Sequence, residues 1–261
     1  MNTMELLRTE NLTRNFGGLC ALNEVSFSLA EGEIVGLIGP NGAGKTTLIN
    51  LLSGAYAPSS GRIVLKDKDI GGLKAHAINR LGIARTFQIV RVFKKLSARE
   101  NVLAAVVDRR RLGPWSLAAQ ALGSGGHAAS ADQTRAGALL DTVGLSEYSE
   151  EMAENLPYAL TKRLEIARAL ATQPRLLLLD EPSSGLNPSE LKGQIDLIKG
   201  INRGGVTILI IEHVMKVIMD ISHRLIVLHH GQKLTEGLPR EVYGNPEVIT
   251  AYLGGEAHAQ H

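Results

Sequence analysis

The stretch that most constrains this chain is Gly39-Pro40-Asn41-Gly42-Ala43-Gly44-Lys45-Thr46, followed by Thr47. Its glycines let the backbone turn where a Cβ would obstruct it, so successive N–H groups can point inward at an anion. Lys45 adds a point charge where the β- and γ-phosphates of a nucleotide would lie, and Thr46 offers a hydroxyl to Mg2+. The flanks match what such a loop needs. Glu33-Ile34-Val35-Gly36-Leu37-Ile38 reads as a buried strand before it, and Leu48-Ile49-Asn50-Leu51-Leu52 as a helix after it, its N-terminus toward the phosphates. A glycine-rich turn without a ligand requires neither the Lys-Thr pair nor that strand and helix. The pattern predicts a nucleoside triphosphate bound between a strand end and a helix start.

At 261 residues the chain can bury a full core as one large domain or as a domain with a sub-domain. A formal net charge of +2 gives no electrostatic case for nucleic acid as a partner. The single cysteine, Cys20, excludes an internal disulfide and favours a reducing compartment. The opening residues lack the apolar core of a signal peptide. Apolar runs at 176–179 and 206–211 are strand-sized, far short of the ~20 residues that span a bilayer.

Along the chain, short strands are expected at Leu6-Leu7-Arg8 and Val25-Ser26-Phe27-Ser28-Leu29, around a Gly17-Gly18 turn, and again at Arg62-Ile63-Val64-Leu65. A strand over 83–87 would deliver Gln88 at its end. Ser97-Ala98-Arg99-Glu100 is a capping box that opens a helix, and Ser130-Ala131-Asp132-Gln133 is a second such start. Between them, Arg109-Arg110-Arg111 and Trp115 read as a solvated loop, with contact to anionic headgroups or a partner as the alternative. Strand–helix alternation then resumes: a helix over 161–172, a strand over 176–179, and a helix start at Asn187-Pro188-Ser189-Glu190. Strands at 206–211 and 225–228, a hairpin turn at Gly231 and two short helices complete the chain. This order predicts an α/β nucleotide-binding core with a helical insertion.

Three further positions carry chemistry. Leu176-Leu177-Leu178-Leu179-Asp180-Glu181-Pro182 reads as a central strand ending in two carboxylates. Asp180 suits the water shell of Mg2+, and Glu181 suits a base or water-orienting group for attack on the γ-phosphorus. The plainer alternative is a buried strand with an acidic cap on the next segment. His213, just past the strand 206–211, could reach the γ-phosphate as a donor and align Glu181, or could be structural. Gln88 could touch Mg2+ or the attacking water, or could be an ordinary surface amide.

In their order and rough spacing, the 39–46 loop, Gln88, the 176–182 segment and His213 resemble ABC-type ATPases over essentially the whole chain. Several segments resemble more narrowly the ATP-binding subunits of branched-chain amino acid importers: Phe16-Gly17-Gly18-Leu19, Leu164-Glu165-Ile166-Ala167-Arg168-Ala169-Leu170, Gly185-Leu186-Asn187-Pro188 and Ile211-Glu212-His213. So do Asn245-Pro246 and Ala251-Tyr252-Leu253-Gly254. The resemblance implies a P-loop NTPase core of the ABC ATPase type, with an antiparallel β sub-domain and an inserted helical sub-domain. Residues 1–87 and 162–235 would form the core, 88–161 the helical sub-domain, and 236–261 the C-terminal helices and tail.

It further implies ATP as ligand, held by Gly39, Pro40, Asn41, Gly42, Ala43, Gly44, Lys45, Thr46, Thr47 and Asp180, with Phe16 stacked on adenine; without the family, a core Phe is the default. Mg2+ would be held by Thr46, Gln88 and Asp180, partly through water, and Glu181, His213 and Gln88 would be catalytic. A second ABC ATPase subunit, identical or not, would complete each site head-to-tail with its signature residues, here Leu156, Pro157, Tyr158, Ala159 and Leu160. The loop 183–187 would cross that interface. Two transmembrane permease subunits would be gripped by the helical insertion, and through them an extracytoplasmic solute-binding protein would be served. That places the chain at the cytoplasmic face of a bacterial inner membrane. The implied function is an ATP-hydrolysing motor for import of branched-chain amino acids or related small solutes.

The signature departs from the family's Leu-Ser-Gly-Gly-Gln. Pro157 stands at the Ser position, Ala159 at the second Gly, and Leu160 and Thr161 where polar residues are usual. If position 159 needs a left-handed backbone, its Cβ costs ~1–2 kcal/mol. Completion of the partner's site is therefore expected to be weakened, and restoring Gly at 159 and Gln at 161 to raise turnover. The alternatives are a lipopolysaccharide-export ATPase and a binding-only regulatory nucleotide switch.

Overall fold

The computed structural model describes residues 4–108 and 125–257, so Arg109, Arg110, Arg111 and Trp115 lie outside the described residues. The chain divides into two compact units. One comprises Met1–Arg85, Arg175–Ser183 and Ile198–His261, the other Thr86–Pro174 and Ser184–Leu197.

All the described strands belong to the first unit. They are β1 (Glu5–Phe16), β2 (Leu19–Ala30), β3 (Ile34–Ile38), β4 (Ser60–Leu65) and β5 (Lys68–Asp69), then β6 (Ile83–Arg85), β7 (Leu176–Asp180), β8 (Thr207–Ile211), β9 (Arg224–His229) and β10 (Gln232–Gly237). The described helices are α1 (Lys45–Leu52), α2 (Ala75–Arg80), α3 (Ala98–Asp108), α4 (Gly125–Thr142), α5 (Tyr158–Ala171), α6 (Pro188–Arg203), α7 (Met215–Ile221), α8 (Pro239–Tyr243) and α9 (Pro246–Ala257).

A four-stranded antiparallel sheet has the order β2-β1-β4-β5, and a six-stranded sheet the order β10-β9-β3-β8-β7-β6. In the larger sheet only β10 runs antiparallel to its neighbour. β3, β7 and β8 are buried at every position, as strands covered on both faces must be, and their sequences are accordingly unbroken apolar runs. Because these strands are parallel, the residues that follow β3, β7 and β8 emerge on one rim, the edge where open α/β sheets take their ligands. One buried cluster takes Leu12, Leu22 and Leu29 from the antiparallel sheet, Leu48 and Leu52 from α1, and Leu178, Leu209 and Ile226 from the parallel sheet, each 0 % exposed. Burial of each such side chain contributes about 1.5–3 kcal/mol, so α1 and the loop before it are tied to both sheets.

Four local expectations need correction. β1 and β2 are 12 residues each rather than short strands. Register shifts break their alternation, with Asn11 and Glu24 at φ 47° and 52°, and bulges of this kind hide a strand from a period-two reading. Ser130 does not start a helix; it lies inside α4, where its carbonyl accepts the Thr134 hydroxyl at 3.0 Å. β6 stops at Arg85, so Gln88 lies beyond the strand rather than at its end. The Phe87 N–H has left the ladder and donates to the Glu165 carboxylate at 3.3 Å. Finally, α5 begins at Tyr158 instead of 161, because the Pro157 carbonyl already accepts from the N–H groups of Leu160 and Thr161 at 2.9 and 3.0 Å.

Candidate active site

The loop from β3 to α1 can be closed only by glycine at two of its corners. At Gly39, φ 151°, a Cβ would fall 2.1 Å from the Leu228 carbonyl oxygen; at Gly44, φ 100°, it would fall 2.8 Å from that of Ala21. Lys45 opens α1, and its side chain folds back over the loop, Nζ donating to the carbonyls of Gly39 and Pro40 at 2.6 and 2.9 Å. Burial pushes this ammonium's pKa down, and the carboxylates of Glu181 and Asp180 oppose that. A cation thus closes the cradle at the helix start, where backbone N–H groups already favour an anion. Thr46 is exposed in the same turn and Thr47 half-buried behind it.

Asp180 ends β7, opposite Ile211 of β8, and is 6 % exposed. Burial pushes its carboxyl up, and the Arg85 guanidinium is the strongest influence pulling it back. Glu181 follows in a left-handed conformation, φ 50°, with its N–H donating to the Ile211 carbonyl at 3.0 Å. A non-glycine residue there costs about 1–2 kcal/mol, and such strain persists where the surroundings hold it, commonly at functional sites. The turn aims the Glu181 carboxylate at His213, whose Nε2 lies 2.7 Å from Glu181 Oε1. Glu212, buried between the β8 end and His213, accepts the Ser183 N–H at 2.8 Å and fixes the chain just past Glu181.

Phe16 closes β1 and is 38 % exposed. Its ring meets Tyr56 edge-on at 5.2 Å, and the Arg14 guanidinium lies over it at 4.5 Å. Arg14 is anchored by donation to the Ala57 carbonyl at 2.8 Å. This ring is therefore held at the surface rather than packed in the core.

The remaining candidates belong to the second unit. Gln88 is exposed in a segment organised by Glu165 of α5, whose carboxylate accepts the N–H groups of Phe87 and Arg91 at 3.3 and 3.1 Å. Burial pushes the Glu165 carboxyl up. Leu156 is buried before the helix, Pro157 is the N-cap of α5, and Tyr158, Ala159 and Leu160 form its first turn. Ala159 is not among the described residues with positive φ. The expected left-handed cost at this position is therefore absent.

The sequence assigns no individual role to Arg85, Glu165, Glu212 or Tyr252, although the last three lie in segments that carry the resemblance. A charged residue inside an apolar run, as in Leu164-Glu165-Ile166, was the available signal. Burial pushes the phenol of Tyr252, on α9, up, and the Gly39 backbone opposes that.

The donor set decides which cation fits. Among the described residues no group of three or more His, Cys, Asp or Glu could hold a metal ion. Thr46 and Asp180 instead offer isolated oxygens, which suits Mg2+ arriving on phosphates and keeping several waters.

Residues 22–184 match the family model described as ABC transporter, and residues 232–258 the model described as branched-chain amino acid ATP-binding cassette transporter. The chain is 46% identical over 252 residues to the high-affinity branched-chain amino acid transport ATP-binding protein LivG of Salmonella typhimurium, covering 95% of this chain and 98% of that one. It is 43% identical over 251 residues to the corresponding protein BraF of Pseudomonas aeruginosa, with 95% and 98% covered. Among solved structures, the ADP conformation of an ATP-binding cassette of an ABC transporter superposes with a TM-score of 0.83 at 31% identity, covering 97% of this chain and 100% of that one. A phosphate loop at the rim of the sheet, two carboxylates at the end of β7 and likenesses along nearly the full length agree: the protein belongs to the ATP-binding cassette family of ABC transporters and carries the C-terminal segment of its branched-chain amino acid branch.

Proposed function

We propose that the chain binds and hydrolyses ATP with Mg2+, and that hydrolysis drives import of a branched-chain amino acid. The observation that carries the reading is the meeting of Glu181 and His213 at 2.7 Å on the rim that also bears Lys45 and Asp180. Backbone N–H groups of the loop and the Lys45 ammonium hold the β- and γ-phosphates. Asp180 and Thr46 would hold the cation, which would neutralise charge on the phosphate oxygens. Glu181 orients a water and accepts its proton as the oxygen attacks the γ-phosphorus, and His213 fixes the Glu181 carboxylate and donates toward the γ-phosphate. Phe16, backed by Arg14 and Tyr56, takes the adenine face.

Assembly follows the same family reading. Two cassettes pair head-to-tail, each presenting the start of α5 to the nucleotide of the other, and the helical sub-domain of residues 88–161 carries the permease contact. No described helix is long and apolar enough to cross a membrane. The match over 232–258 supports an amino acid importer over a lipopolysaccharide exporter.

The test is reconstitution. The chain, co-purified with its permease in vesicles, is supplied with binding protein, leucine and ATP. Leucine uptake that stops when Glu181→Gln is introduced supports the proposal; uptake that continues contradicts it.

A further inference from the structure

Arg85 is the last residue of β6, and its side chain is 12% exposed. Its Nη1 donates to Asn50 Oδ1 at 2.6 Å and to Ser53 Oγ at 3.0 Å, while Nη2 stands 3.6 Å from Asp180 Oδ2. Asn50 lies in α1 and Ser53 is the C-cap of that helix. Thr46 lies in the first turn of the same helix, so its position and that of Asp180 are set by elements joined through one guanidinium. A buried cation is tolerated only when its donors are matched, and a planar fork with several fixed N–H directions can satisfy acceptors on two elements where a single ammonium cannot.

We propose that Arg85 is a positioning residue for the cation side of the nucleotide site: by clamping α1 to Asp180 it fixes the separation of the two oxygen donors, and so sets how strongly the divalent cation reinforces nucleotide binding. The proposal rests on the reading of Thr46 and Asp180 as those donors. Outer partners of this type commonly alter metal affinity 10–100-fold when removed. Arg85 is directed at Asn50, Ser53 and Asp180, and the metal-free affinity is expected to be independent of it.

The experiment titrates a fluorescent ATP analogue into the purified chain, with Mg2+ and with EDTA, and reads the ratio of the two affinities. In Arg85→Met the ratio falls about tenfold while the EDTA affinity stays at the wild-type value; Arg85→Lys falls between. Asn50→Ala, which removes one anchor and leaves the charge in place, moves the ratio in the same direction and keeps the test open if Arg85→Met does not fold. Asp180→Asn abolishes the Mg2+ dependence. A wild-type ratio in both Arg85→Met and Asn50→Ala, with Asp180→Asn behaving as stated, overturns the role of Arg85 alone. Equal losses with Mg2+ and with EDTA in Arg85→Met also overturn it, because that is the mark of a general structural role. A wild-type ratio in Asp180→Asn overturns the underlying reading of the site.

Discussion

His213 and Glu181 meet through one contact, Nε2 to Oε1 at 2.7 Å, across the ends of two adjacent parallel strands. His213 is the more exposed of the two, at 47% against 16% for the Glu181 side chain. The carboxylate is therefore the more enclosed member of the pair and the imidazole the more open one.

That asymmetry predicts a graded effect at His213. Replacement by Ala leaves the backbone turn at Glu181 in place but removes the contact that holds its carboxylate, so ATP affinity stays near wild type while turnover falls by about 10²–10⁴-fold, the range for loss of a positioned acid–base partner. Steady-state ATPase assays with a parallel binding titration check this; a drop in affinity matching the drop in rate counts against it.

The ring cluster at Phe16 makes a prediction about the base alone. Phe16→Ala is expected to weaken ATP binding about tenfold, since loss of one aromatic platform typically costs 1–3 kcal/mol per stacked base. Arg14→Gln and Tyr56→Leu give smaller losses. Competition by inorganic tripolyphosphate, which has no base, stays unchanged in all three.

Glu165 gives a pH-dependent prediction. Burial raises its carboxyl above the ordinary value of 4.5, so the folded chain holds this proton to higher pH than the unfolded chain does. Its contribution to stability is then full below the unfolded value and is lost as pH rises through the folded value. Glu165→Gln keeps an oxygen to accept the Phe87 and Arg91 N–H groups and cannot ionise. Thermal melts should show the variant matching wild type near pH 4 and gaining on it as pH rises; a constant difference contradicts the assignment.

What the sequence discloses and what it hides divide along physical lines. Local patterns were legible: the phosphate loop between its strand and helix, the Asp180-Glu181 strand end, and the capping box at Asn187. There the Asn187 side chain accepts from the Ser189 and Glu190 N–H groups at 3.0 Å each, and Glu190 returns a bond to the Asn187 N–H at 2.8 Å. Arg85 and Glu165 were not, because each acquires its role from partners distant in sequence, α1 and β7 for Arg85 and the 87–91 segment for Glu165. β1 and β2 read as short strands because bulges and a polar exposed face conceal their length.

At Ala159 the structure removes the backbone strain that a glycine would relieve. The residue sits in the first turn of α5 and is 9% exposed, so Ala159→Gly relieves no strain and forfeits helix propensity worth about 0.5–1 kcal/mol. The variant is expected to melt earlier and to show no gain in ATPase rate in the assembled complex.

Single-turnover phosphate release by Glu181→Gln, measured beside its equilibrium ATP affinity and with Lys45→Ala as the binding control, tests whether this carboxylate steers hydrolysis. Lys45→Ala is expected to lose nucleotide, whereas Glu181→Gln is expected to bind ATP as wild type does and to release phosphate about 10²–10⁴-fold more slowly. Phosphate release by Glu181→Gln at the wild-type rate would contradict that role.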